Sequence, residues 1–143
     1  MEKPEKPKDK FVIFAHSGTY DRLHQVATLA LTAAAMGQEV YIILFFFALK
    51  KFCSGELDKP DFPQEYQALG KQVSKLMEEK KVPKVSEMLR DAKGIGRVKI
   101  IICSAGLEYM DIGKGEQSDL VDEVWGLPTV LNEVKGATTV LYI

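Results

Sequence analysis

Three uninterrupted apolar runs constrain the fold of this chain more than any other feature. They are Phe11 to Ala15 (FVIFA), Val40 to Phe47 (VYIILFFF) and Val98 to Cys103 (VKIIIC), all rich in branched or aromatic residues. Such runs are typical of strands that are covered on both faces, and therefore predict parallel pairing. Between the first two, the spacing of apolar residues predicts a helix from Tyr20 to Met36, stopped by Gly37. A strand, a helix and a strand within about thirty-five residues from Phe11 onward predict a βαβ unit.

The remainder of the chain continues the alternation of helices and strands. After a proline-containing loop, five apolar residues mark an amphipathic helix: Tyr66, Leu69, Val73, Leu76 and Met77. Ser86 is placed to cap a second helix before the third apolar run. A short strand near 121–125, a helix over 128–135 and a last strand over 138–143 follow. This order predicts a three-layer α/β/α domain around a mainly parallel five-stranded sheet, similar to flavodoxin.

The composition limits the kinds of molecule that the protein is expected to bind and the compartment in which it is expected to work. The 143 residues carry 19 basic and 20 acidic side chains, so no polycationic surface for nucleic acid or anionic lipid is expected. The longest apolar stretch, Val40 to Leu49, is half of the ~20 residues that a membrane-spanning helix requires. Two cysteines without metal-like spacing fit a reducing cytoplasm. Residues 1–10 are predicted to be a flexible charged arm, and residues 11–143 are predicted to form a single domain.

Three loops are expected at one edge of the sheet. The carboxyl ends of parallel strands gather there, and ligands usually bind at that edge. The loops are His16 to Tyr20, Phe47 to Cys53 and Cys103 to Gly106. We expect them to line one pocket.

Cys103 is the first candidate for chemistry. A thiol at a strand end beside the start of a helix is in a setting that favours the thiolate, and we expect it to face solvent. The alternative is a small buried core residue. Cys53 follows Lys50 and Lys51, which favour its ionised form, although it also sits in a Phe-rich stretch where it can pack. We favour a structural or accessory role for Cys53.

Smaller groups complete the candidate site. His16, Ser17, Gly18 and Thr19 offer hydrogen bonds to a substrate or anion at a helix start, with helix capping as the alternative and a catalytic role for His16 as the less favoured one.

Ser104, Ala105 and Gly106 open the helix after Cys103 and are expected to steady an anion on its sulfur. The chain has no nucleotide-binding glycine motif and no cluster of metal-ligand residues, so neither a cofactor nor a metal is expected.

Several stretches together resemble a known family. They are FVIFAHSGTYD, LTAAAMGQEV, ILFFFAL, a Val-Pro-x-x-x-Glu-Met-Leu helix and VKIIICSAGLEYMDI. The chain is similar over 11–143 to the DsrE/DsrF-like family, in particular to its DsrE2/DsrE3-type proteins, often labelled peroxiredoxin-like. The resemblance implies a cytoplasmic sulfur carrier or sulfurtransferase-like protein that works as a homo-oligomer or with sulfur-relay partner proteins. It also implies that Cys103 is the persulfide site.

Two departures from the family pattern concern the pocket. Residues 104–108 (SAGLE) stand where relatives show a Gln-Met-Thr-Met-Asp-like stretch, and 125–128 (WGLP) replace a Gly-Gly-Ala-Ala-like segment. Two hypotheses therefore remain from the sequence. One is a sulfur carrier on Cys103, and the other is a non-catalytic oligomeric module that binds a small anionic metabolite or a partner protein at the same edge.

Overall fold

The sheet is parallel throughout. The computed structural model describes residues 9–113 and 115–143, and within them five strands pair in the order β4-β3-β2-β1-β5. Every neighbouring pair runs parallel. The strands are β1 (Lys10–Ala15), β2 (Glu39–Leu44), β3 (Val98–Cys103), β4 (Glu123–Trp125) and β5 (Thr139–Tyr142).

Helices fill the connections between consecutive strands. Three of them, α1, α3 and α4, exceed ten residues, and of these α1 and α4 pack against the sheet, whereas α2, α5 and α6 are short. A 3-10 turn at Gln64–Tyr66 leads into α3. The helices are α1 (Tyr20–Ala35), α2 (Phe46–Cys53), α3 (Gln67–Glu79), α4 (Val85–Ile95), α5 (Ser104–Tyr109) and α6 (Leu127–Glu133).

The two faces of the sheet are covered unequally, and this gives the predicted three-layer α/β/α architecture. On one face, side chains of β1, β2 and β3 pack against the apolar sides of α1 and α4, where alanines allow close approach. On the other face, α6 contributes Val130 to a smaller cluster with Tyr41, Ile43 and Ile101. Because α6 has only seven residues, Val140 and Tyr142 of β5 remain exposed.

Two predicted boundaries are corrected. The second strand ends at Leu44 rather than Phe47, because Phe46 adopts a left-handed backbone (φ 39°) and starts α2. Lys10, predicted to belong to the charged arm, pairs with Glu39 as the first residue of β1. The remaining arm residues, 1–8, lie outside the described residues.

Ser86 does not cap its helix, because α4 already begins at Val85. Its backbone N–H and its hydroxyl instead donate to the carboxylate of Asp58, at 2.9 and 2.5 Å. In the described part of the chain, no helix is both long and apolar enough to cross a bilayer.

The loop between α2 and the 3-10 turn is fixed by a buried lysine. Lys51 is almost fully buried, and its ammonium group donates to the carboxylate of Asp61 at 2.5 Å. The carbonyl oxygen of Asp61 also accepts the backbone N–H of Tyr20, at 2.6 Å. The loop is thereby joined to the starts of two helices, α1 and the Asp58-capped α4.

Asp61 should contribute to stability in a pH-dependent way. The hydrogen bond from Lys51 holds the pKa of Asp61 below its usual value, so its stabilisation is present above about pH 4 and is lost as the pH falls below that. We expect Asp61→Asn to lower the free energy of unfolding at pH 7 by about 1–2 kcal/mol, because Lys51 loses its charged partner while the half-exposed carboxylate site limits the cost. The acid-induced loss should shrink in the variant.

Urea unfolding between pH 7 and pH 2.5 measures this effect. Asp119→Asn is the matched control, since Asp119 pairs with Arg90 on the exposed surface and should change stability by less than about 0.5 kcal/mol. Equal effects of the two substitutions would contradict the role assigned to the buried lysine.

Candidate functional site

The loop after β1 is held by backbone hydrogen bonds on two sides. The His16 N–H donates to the carbonyl oxygen of Ile143 at 2.7 Å, next to the end of β5. The His16 carbonyl oxygen accepts the Ala48 N–H of α2 at 3.0 Å. The His16 side chain is exposed, with its ring 5.6 Å from that of Phe46. These bonds place the loop between the last strand and α2.

Gly18 is required in this loop by a close approach. A Cβ atom at Gly18 would lie 2.6 Å from the carbonyl oxygen of Phe47, a distance that real Cβ atoms do not tolerate. On either side of it, the hydroxyls of Ser17 and Thr19 lie 3.1 Å apart and hydrogen-bond to each other. Thr19 occupies the N-cap of α1, but its side chain makes no capping hydrogen bond. The two hydroxyls therefore do not serve the helix as caps.

The loop opens onto a cleft of about 630 Å³, which we call the β1 cleft. It offers hydroxyls, two ionisable groups of opposite charge, an imidazole and three aromatic rings. Its lining residues are Phe14, His16, Ser17, Thr19, Arg22, Phe47, Pro63, Glu65, Tyr142 and Ile143. The rings of Phe14 and Tyr142 stack with centroids 5.1 Å apart and an angle of 11°.

A second hollow of about 410 Å³ adjoins the β1 cleft and shares Ser17, Thr19 and Phe47 with it. Lys50 and Lys51 line this hollow, although Lys51 is already engaged by Asp61. A further cavity of about 440 Å³, between residues 60–62 and α3, shares no residue with the β1 cleft.

Cys103 lies where the sequence places it, but its thiol is not open to solvent. It is the last residue of β3 and the N-cap of α5. The residue is only 2% exposed and lies opposite Trp125 of β4 in the sheet. The expectation of a solvent-facing thiol is therefore wrong, because Cys103 is buried at the strand end.

Cys53 is half-buried at the end of α2 and is not joined to Cys103 by a disulfide. Burial raises the pKa of the Cys53 thiol and Glu116 raises it further, whereas a hydrogen bond with the backbone of Ser118 and the charge of Lys50 lower it. The balance favours the neutral thiol. The expected activation by neighbouring lysines is thus outweighed.

The three expected loops meet only in part. Ser104 to Gly106 do not line the β1 cleft. They contact α2 instead, where a Cβ at Gly106 would come within 2.7 Å of the Leu49 side chain. One turn later, the ring of Tyr109 stacks on Phe46 at 6.2 Å. The aromatic rings of Phe46 and Tyr109 therefore join α2 to α5, whereas the β1 cleft is lined by β1 and the loop after it, α1, α2, residues 63 and 65, and β5 with the residue that follows it.

Six cleft residues escaped the sequence analysis: Phe14, Arg22, Pro63, Glu65, Tyr142 and Ile143. Phe14 and Tyr142 meet because β5 pairs with β1, which hydrophobic patterning alone does not reveal. Arg22 could have been found, since it lies three residues beyond Thr19 at the start of a clearly patterned helix. Among the described residues, no group of three His, Cys, Asp or Glu side chains could hold a metal ion.

Comparison with known proteins supports the fold. No protein-family profile matches the sequence, and no curated protein matches it significantly. Three solved structures match nearly the full chain. The conserved protein of unknown function BT1422 from Bacteroides thetaiotaomicron has a TM-score of 0.59 at 16% identity, covering 94% of this chain and 95% of its own.

The other two structures give similar agreement. The protein of unknown function MTH1491 from Methanobacterium thermoautotrophicum has a TM-score of 0.55 at 13% identity, over 95% of this chain and 98% of its own. The ychN protein from E. coli has a TM-score of 0.57 at 15% identity, over 94% and 99%. At such identities the likeness shows the α/β architecture, and function must be argued from the site itself.

The close approach at Gly18 leads to a stability prediction. Gly18→Ala should lower the free energy of unfolding by about 1–3 kcal/mol, because the new methyl group meets a fixed backbone carbonyl. Gly94→Ala in α4 is the control, since no atom lies within 4 Å of its Cβ position. It should leave stability unchanged or raise it by up to about 1 kcal/mol. Thermal and urea unfolding compare the two, and a Gly18→Ala protein of native stability would contradict the geometry.

Proposed function

We propose that this chain is a non-catalytic binding module that takes a small anionic ligand in the β1 cleft. The observation that carries the proposal is the grouping of Arg22 and His16 with the Ser17 and Thr19 hydroxyls in one cleft at the carboxyl edge of the sheet. Parallel α/β sheets bind ligands at this edge, and a guanidinium group with nearby hydroxyls suits a carboxylate or a phosphate.

The start of α1 adds to this preference. The amino end of the sixteen-residue helix carries partial positive charge, and Thr19 and Arg22 of this end line the cleft. Glu65, which also lines the cleft, repels a second anionic group but accepts a hydrogen bond. We therefore expect a ligand that combines one anionic group with one hydrogen-bond donor.

Thermal unfolding in the presence of small probe molecules tests the proposal. We expect lactate and inorganic phosphate to raise the melting temperature, whereas lactamide should not, because it lacks the negative charge. Arg22→Gln should abolish the rise. Arg90→Gln is the matched control, since Arg90 pairs with Asp119 outside the cleft. An equal response to lactamide, or an Arg22→Gln protein that responds like the parent, would count against the proposal.

A sulfur carrier on Cys103 is the second candidate. It is favoured by the position of a free thiol at the carboxyl end of β3, and by the residues that resemble the DsrE/DsrF-like family. Reactive thiols are usually partly exposed, and Cys103 is not, so this candidate ranks below ligand binding. It requires local opening of the edge. The elements next to Cys103 in the chain and in the sheet are short, six residues in α5 and three in β4, and short edge elements open most readily.

The transfer step is simple once the thiol is uncovered. The Cys103 thiolate attacks the outer sulfur of glutathione persulfide, the new S–S bond forms on the protein, and glutathione leaves as its thiolate. A second thiolate then takes the outer sulfur from the Cys103 persulfide and restores the original thiol. Cys53, with its raised pKa, is poorly suited to either step.

Intact-mass measurement after incubation with glutathione persulfide tests the carrier. We expect a gain of about 32 Da that dithiothreitol removes, present in Cys53→Ser and absent from Cys103→Ser. Because Cys103 is covered, iodoacetamide should modify it much more slowly in the native protein than in urea. A gain that persists in Cys103→Ser, or none at all, would exclude this candidate.

The proposal also covers the assembly of the protein and its location in the cell. The exposed apolar side chains of β5 and α6, Val140, Tyr142, Leu127 and Leu131, support self-association of the chain through this side of the sheet. Two cysteines without a disulfide fit the reducing cytoplasm.

A further inference from the structure

The hollow next to the β1 cleft contains basic side chains that the ligand proposed above does not use. Its volume is about 410 Å³, and we call it the α2 hollow because α2 supplies its lysines. Three of its residues, Ser17, Thr19 and Phe47, also line the β1 cleft, so the two spaces share a common wall. The full lining of the α2 hollow is Ser17, Gly18, Thr19, Phe47, Lys50, Lys51, Ser54 and Glu56.

The common wall is fixed and polar. The Gly18 backbone lies so close to the carbonyl oxygen of Phe47 that a Cβ atom would not fit between them. Beside it, the Ser17 and Thr19 hydroxyls hydrogen-bond to each other at 3.1 Å. This bond uses only one of the two O–H groups, so the other can donate to a ligand. The wall therefore offers a hydrogen bond to a molecule that lies across it.

Lys50 is a cation of the α2 hollow that no described acidic residue neutralises. Lys51 is engaged by Asp61, and Glu56, the acidic residue of the lining, lies 3.9 Å from Lys59. Lys50 is exposed and forms no ion pair with any residue that the structure describes. Its ammonium group is therefore available to an anionic ligand.

Lys51 adds hydrogen-bond donors from a buried position. Its side chain is 8% exposed, and its ammonium group has three N–H donors. Within the described part of the chain it makes one side-chain hydrogen bond, to the carboxylate of Asp61. A buried donor gains from an acceptor, because an unpaired polar group is costly away from water. An oxygen atom of an anionic group in the α2 hollow suits this position.

The two spaces divide the charged side chains between them. Arg22 and His16 line the β1 cleft and do not line the α2 hollow, whereas the reverse holds for the two lysines. Glu65 lines the cleft alone, so its repulsion falls mainly on a second anionic group inside the cleft. A second anionic group is therefore better placed beyond the common wall.

We propose that the ligand is a small organic dianion that spans the common wall, with one carboxylate or phosphate beside Arg22 and the other beside Lys50 and Lys51. The inference rests on the anion binding proposed for the β1 cleft. It goes further, because it assigns a second anionic group and the side chains that bind it. The Ser17 and Thr19 hydroxyls would lie beside the middle of such a ligand.

Thermal unfolding during titration with extended forms of lactate tests the proposal. Malate, 2-hydroxyglutarate and 3-phosphoglycerate all keep the hydroxy acid of lactate and add a second anionic group, each at a different distance from the first. At constant ionic strength, at least one of them should bind about tenfold or more tightly than lactate, because one added charge-assisted hydrogen bond corresponds to about that factor.

Substitution of Lys50 separates the dianion from anion binding in general. Lys50→Gln should abolish the preference for the dianion over lactate, and Arg22→Gln should weaken binding of the dianion. Lys80→Gln is the matched control, since Lys80 is exposed at the end of α3 and lines neither space, and the preference should remain. Circular dichroism checks that each variant is folded.

The possible outcomes distinguish this inference from the proposed function. Dianions that bind no more tightly than lactate, or a preference that survives Lys50→Gln, would overturn the inference and leave the anion site of the β1 cleft in place. Dianion binding that Lys50→Gln weakens and Arg22→Gln does not would place the ligand in the α2 hollow alone, and would also overturn it. If neither lactate nor any of the three dianions binds, both proposals fail.

Discussion

Burial of three apolar strands on both faces is the constraint from which the rest of this structure follows. Strands of that kind cannot lie at a half-solvated surface, so helices must cover both sides and the connections must cross over. Parallel strands then end at one edge, which brings His16 after β1 and Cys103 after β3 to the same side of the molecule. The β1 cleft exists because β5 joins the sheet beside β1.

Much of the fold could be predicted from local pattern, and the errors have identifiable physical causes. The predicted ends of β3 and the predicted start of α1 agree with the structure, because the residue composition changes sharply at these positions. The predicted second strand extended through Phe45 to Phe47 because apolar residues suit either a strand or a helix. In the structure, the left-handed backbone of Phe46 separates the strand from the helix. The candidate site was harder to predict from the sequence than the fold. Phe14 and Tyr142 meet through strand order, and the burial of Cys103 depends on tertiary packing that local pattern does not reveal.

The two proposed chemistries differ in what the protein must do first. The hydroxyls and basic groups of the β1 cleft are accessible as the chain is folded, so a ligand can bind without a conformational cost. The thiol of Cys103 is covered, so any reaction there includes the free energy of opening the edge. A carrier with a covered thiol would have one advantage. A persulfide that forms on Cys103 while the edge is open would be shielded from other thiols once the edge closes.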